Sequence, residues 1–142
     1  MKVPDPTPGL VIHYSFLWSH ERRSGRLEGS KDRPCAIVVA ARRQGQGLQT
    51  IVAPITHRLP DEPASSLEIP DHICRRLGLD AARHWLRFDE LNHFWWPGYD
   101  LRRLPDGSYD YGMLPRALFE ELLRGIMNRR KAHRQIVISR DE

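Results

Sequence analysis

Cysteine and lysine are the residue types this sequence nearly does without. Its two cysteines, Cys35 and Cys74, are too few for the disulfide framework that staples small secreted domains, and their apolar or helical surroundings suit reduced, buried thiols. Lysine occurs three times against nineteen arginines, within a net charge of +4 and a pI near 9.4. Arginine grips phosphate or carboxylate through a planar fork, so the bias brings a polyanionic partner into view. A GC-rich genome would produce the same bias, so charge alone selects no partner.

Long apolar runs are also missing. Nowhere does the chain approach the roughly 18 consecutive apolar residues of a membrane helix, and the opening MKVPDPTPG carries three prolines where a signal peptide would need an apolar stretch. A cytoplasmic location is expected. The seven histidines show no paired ligand spacing of the His-Glu-x-x-His kind, and His72-Ile73-Cys74 is too short to count. Neither a metal nor a cofactor is expected. A chain of 142 residues suits one domain over 1–142, with a core at about 9–131 and a C-terminal extension at 132–142.

What is present is mostly strand signal. Leu10 to Trp18 alternates with a period of two, in β-branched and aromatic types. Ser19 to Asp32 holds Arg22, Arg23, Arg26 and Lys31 without apolar periodicity and reads as a long, mobile, basic loop. Cys35–Ala40 and Ile51–Ile55 are short apolar runs around a turn-rich stretch, the pattern of a hairpin of buried strands. Pro54 belongs at an edge, a bulge or a strand end, because it cannot donate to a ladder.

Further on, Leu67–Ile69 suits a short strand and Pro70–Arg76 a helical turn stopped by Gly78. Trp85–Phe88 alternates again, ahead of the aromatic cluster Phe94-Trp95-Trp96, which suits core filling, a subunit contact or stacking on unpaired bases. Pro115 to Lys131 is an amphipathic helix with Leu118, Leu122 and Ile126 on one face. Gln135–Ile138 suits an edge strand. The sum is mainly β with helical caps (α+β), expected as a small SH3-like barrel with a C-terminal amphipathic helix.

Two residues stand out on chemistry. Arg33 sits where the basic loop meets a buried strand, so a rigid sheet would hold a guanidinium at an opening. Thr56 ends the next strand, and a hairpin brings the start of one strand beside the end of the other; a hydroxyl beside an arginine suits a phosphate oxygen. The plainer readings are a solvated strand-end arginine and a turn threonine bonding its own backbone.

Four stretches together carry a resemblance. Pro8-Gly9-Leu10-Val11-Ile12, Gly29-Ser30-Lys31-Asp32-Arg33-Pro34-Cys35, Val52-Ala53-Pro54-Ile55-Thr56 and Arg87-Phe88-Asp89, followed by the terminal helix, resemble in order and spacing the PemK/MazF-like (Kid-type) toxins of type II toxin–antitoxin systems. The resemblance spans about residues 9 to 131.

It implies a metal-independent endoribonuclease, in which the neighbouring 2′-hydroxyl attacks the phosphate of single-stranded RNA. Translation and growth would then stop. Arg33 would stabilise the charged phosphorane and protonate the leaving oxygen, Thr56 would hold a phosphate oxygen, and Asp89 would accept the hydroxyl proton. Arg87, Lys31 and His57 would bind RNA, as would His20-Glu21, which resembles a His-Glu pair of Kid-type members although the enlarged loop shifts its alignment. The implied partners are mRNA, a cognate antitoxin and a second copy of the chain. Two other readings stay open: a gyrase-poisoning CcdB-like toxin, which would not need Arg33, Thr56 and Asp89 together, and a non-catalytic SH3-like module binding RNA or peptide.

Overall fold

The computed structural model describes residues 2–140. Alternation in the sequence becomes strand β1 (Leu10–Tyr14), and the two apolar runs become the long hairpin β2 (Arg33–Arg43) and β3 (Gly47–Thr56). After a single 3-10 turn come β4 (Ser66–Glu68), a helical turn (Asp71–Arg76) and β5 (Trp85–Arg87). Then follow β6 (Glu90–Trp95), β7 (Asp110–Met113), the helix Arg116–Lys131 and β8 (Ile136–Ser139).

The strands make one eight-stranded sheet in the order β4-β5-β3-β2-β1-β7, with β6 on β3 and β8 on β6. All pairings are antiparallel except β6 with β8. The domain is thus mainly antiparallel β with a few helices. The expected barrel is not closed: among the described residues no ladder joins the β4, β7 and β8 edges to one another.

Strand β3 serves two partners on its second edge, β6 over Gln49–Val52 and β5 over Ile55–Thr56. Ala53 and Pro54 fall in the gap, where a proline removes no ladder donor on that edge. Register shifts in β2 between Ile37 and Val39, and in β1 between Val11 and Ile12, are the local kinks that increase strand twist.

Both faces of the sheet are covered, as the alternation requires. Val11, Ala36, Val38, Ala53 and Ile55 pack with the helical residues Ile73, Leu118, Leu122 and Ile126. Leu10, Ile12, Tyr14, Cys35 and Ile37 face the other way, onto Phe16, Trp18 and Phe94. Phe94 is fully buried and stacks on Tyr14 at 4.6 Å, so this member of the aromatic cluster fills core. Gly125 lets the terminal helix settle on Phe88: a Cβ there would meet the ring at 2.7 Å. Cys35 and Cys74 are both buried and unpaired. No described helix is long and apolar enough to cross a membrane.

A buried polar centre ties distant segments together. Arg140, after β8, donates to the carbonyls of Ser15 (2.7 Å) and Leu27 (3.2 Å), to Asn92 Oδ1 (3.0 Å) and to Asp100 Oδ2 (2.7 Å). Asn92 in turn joins the N–H and C=O of Leu17, both at 2.9 Å.

Candidate nucleic-acid interface

The stretch expected as an unstructured loop begins with a helical turn, α1 (Ser19–Arg23). Glu21 is the reason. It is buried, and its two carboxylate oxygens accept from the backbone N–H groups of Trp18 and Ser30, both at 3.0 Å. Burial works to raise the Glu21 pKa, but these hydrogen bonds prevail and leave it below its usual value. The Ser19 N–H donates to Glu90 Oε1 at 2.8 Å.

The far half of the loop is pinned as well. Gly29 lies so close to the Phe16 carbonyl that a Cβ would sit 2.1 Å from its oxygen, and its N–H donates to Ser15 Oγ at 3.1 Å. Periodicity could not reveal this order, because it arises from side chain to backbone bonds and not from an apolar face.

The pinned loop forms one wall of a cavity of about 350 Å³. Arg33 and Thr56 both line it, as the hairpin dictates: Cys35 stands opposite Pro54, and the same register carried outward sets Arg33 across from Thr56. Lys31, His57, His20 and Glu21 line it too, with Arg87 from the end of β5. Thr56 Oγ1 accepts from the Arg58 N–H at 3.1 Å, so the plain turn role applies while the hydroxyl proton stays available to a ligand.

Arg33 is only 8% exposed. No hydrogen bond or ion pair reaches its guanidinium among the described residues, and its Nε is buried with no partner. What it has is the indole of Trp18, 5.2 Å away; Arg87 lies over the same ring at 5.1 Å, a cation–π pair of contacts on one aromatic. Burial lowers the Arg33 pKa, partly offset by Cys35 and Glu21.

Asp89 is the residue the structure does not bring to the cavity wall. Its two oxygens are taken by Arg87 Nε at 2.9 Å and Nη2 at 2.7 Å, and this bond is the leading cause of the raised Arg87 pKa. Spacing of i and i+2 on an extended segment puts both side chains on one face, where a carboxylate and a guanidinium meet before either meets a substrate. In this arrangement Asp89 orients Arg87 from behind the cavity lining.

Five lining residues were not among the sequence candidates: Trp18, Ser30, Arg58, Asp61 and Glu90. Trp18 had a signal, since it ends the first alternating stretch next to a basic loop. Arg58 and Glu90 had none. A second hollow of about 240 Å³ shares Lys31, Arg33, Thr56 and His57 with the first, so these four form a ridge between two depressions. Among the described residues no three His, Cys, Asp or Glu side chains converge as a metal site.

Compared with known proteins, the chain matches no family model and no curated protein sequence.

Proposed function

We propose that the chain is a metal-independent endoribonuclease acting on single-stranded RNA, the toxin of a type II toxin–antitoxin pair on an opened PemK/MazF-like barrel. One observation carries this reading: a buried guanidinium with an unpartnered Nε and, among the described residues, no ion pair, beside a threonine hydroxyl in a hollow also lined by Lys31, Arg58 and Arg87. A buried cation without a partner is costly, and an anion in the hollow relieves that cost. A phosphodiester supplies the charge, and Arg33 with Thr56 supplies the donors that a phosphorane, one charge richer than its ground state, needs most.

In this mechanism the 2′-oxygen bonds to phosphorus as the P–O5′ bond breaks, leaving a cyclic phosphate and a 5′-hydroxyl. DNA lacks the nucleophile. The 2′-hydroxyl proton passes to a ring nitrogen of His57, next to Thr56 on the ridge, and the departing 5′-oxygen takes a proton from water. Arg87, fixed by Asp89, holds the strand. The cognate antitoxin is expected to present an acidic segment to the same cations, and a second copy of the chain to extend the groove.

The test is incubation of the purified protein with long single-stranded RNA in excess EDTA, followed by analysis of the ends. Cyclic phosphate and free 5′-hydroxyl ends support the proposal. Intact RNA at stoichiometric protein leaves the non-catalytic binding module, and cutting abolished by EDTA removes the mechanism.

A further inference from the structure

Resting on the reading of the ridge as the RNA-phosphate site, we infer that the 240 Å³ hollow beside it is a nucleobase subsite selective for guanine. The two hollows differ in character. Beyond the shared ridge, the first holds Arg58 and Arg87 beside Glu21, Asp61 and Glu90, whereas the second holds Asp32 and Asp80 with no lysine or arginine of its own, together with Leu79, Pro34 and Tyr111.

Two carboxylates with no cation of their own in that lining repel a phosphate. With the ridge shared by both hollows, the backbone belongs on Arg33 and Lys31, and the uncharged part of the nucleotide belongs beyond them. The size agrees, since the hollow lies below the roughly 300 Å³ at which drug-sized sites begin and suits one base. Tyr111 and His57 offer ring faces for stacking.

The polar groups then choose among bases. Asp80 is held in place by its own Oδ1, which accepts from the Ala82 N–H (2.9 Å) and faces His84 Nε2 (3.0 Å), leaving Oδ2 open. Those bonds hold its pKa below the usual value. Among the described residues, the Asp32 carboxylate has only a long contact to Arg102, 3.7 Å. Guanine alone among the four bases presents two adjacent donors, N1–H and N2–H₂, on its pairing edge. Adenine and cytosine place a ring acceptor beside their amino group, and uracil flanks its N3–H with two carbonyls, so each would set a lone pair against a carboxylate. Guanine O6 also needs a donor. Lys31 and Tyr111 are at hand, the latter with its hydroxyl kept protonated because burial, with Cys35 and Asp32 close by, pushes its pKa up to about 12.

The experiment is binding of the 3′- and 5′-monophosphates of guanosine, adenosine, cytidine and uridine, followed by chemical shifts, with inorganic phosphate and a 20-residue RNA of mixed sequence as references. The expected result is guanosine monophosphate at least tenfold tighter than the other three. Asp32→Asn and Asp80→Asn together should erase that preference, guanosine monophosphate falling to the level of the other three nucleotides while inorganic phosphate binds no more weakly than to the parent. Equal binding of the four nucleotides, with RNA still bound, overturns the subsite and leaves the ridge standing. No binding of RNA or of any nucleotide overturns the ridge and the subsite with it.

Discussion

Arg87 and Asp89 are locked together by two hydrogen bonds, 2.9 and 2.7 Å long, so that the carboxylate fixes the guanidinium that faces the groove. This pairing separates two roles for Asp89. As an orienting group its loss should cost about tenfold in cleavage, in the way outer partners act on the groups they hold; as the proton acceptor its loss should cost about 10²–10⁴-fold. Single-turnover cleavage by Asp89→Asn and by His57→Gln is expected to show the larger loss for His57→Gln. The reverse order would return Asp89 to the chemistry.

Arg33 sets function against stability. Its guanidinium is buried with an unpartnered Nε, so Arg33→Met, close in volume and without charge, should unfold about 1–3 kcal/mol later than the parent, the scale of an unmet buried polar group. RNA cleavage should fall by about 10²–10³-fold, as for loss of an oxyanion donor. Thermal denaturation and cleavage on the same preparation check both; a destabilised variant would mean that Trp18 alone compensates the charge.

Glu21 gives the groove a pH limit. Its folded pKa lies below the ordinary 4.5, so its contribution is complete above that value and is lost as pH falls through the lower, folded pKa. Denaturant unfolding between pH 7 and 3 should show this acid loss in the parent, and a smaller one in Glu21→Gln. Identical acid slopes would show that Glu21 carries no such linkage.

The Arg140–Asp100 pair is buried on both sides, with side chains 1% and 10% exposed. Removing Arg140 leaves Asp100 with only the longer contact to Arg102, 3.3 Å, and strips Asn92 and the Ser15 and Leu27 carbonyls of a donor, so Arg140→Met should destabilise the fold by about 3–5 kcal/mol. Urea midpoints check this. Because Arg140 also holds the Leu27 carbonyl, proteolysis of the 19–32 segment should accelerate in the same variant.

How much of this was readable in the sequence depended on where each interaction lies along the chain. The alternation from Leu10, the two apolar runs of the hairpin and the i, i+4 face of Leu118, Leu122 and Ile126 are local patterns, and each became the element it announced. So did the tail, although its parallel pairing with β6 had no local sign. Strands β6 and β7 went unread, because Phe94 and Trp95 looked like an aromatic cluster and Asp110–Met113 contains a glycine and an aspartate. The groove divides in the same way. Arg33 and Thr56 follow from hairpin register, whereas the order of the 19–32 segment depends on Glu21, Asn92 and Arg140, whose partners lie 9, 75 and 113 residues away.

The longest of those spans has a consequence for biosynthesis. The carbonyl of Leu27 and the backbone of Ser15 wait for Arg140, so a nascent chain lacks the clamp on this cavity wall until residue 140 has left the exit tunnel. The ordering of the 19–32 segment is therefore a late event of folding, completed by a residue that emerges 113 positions after the carbonyl it holds.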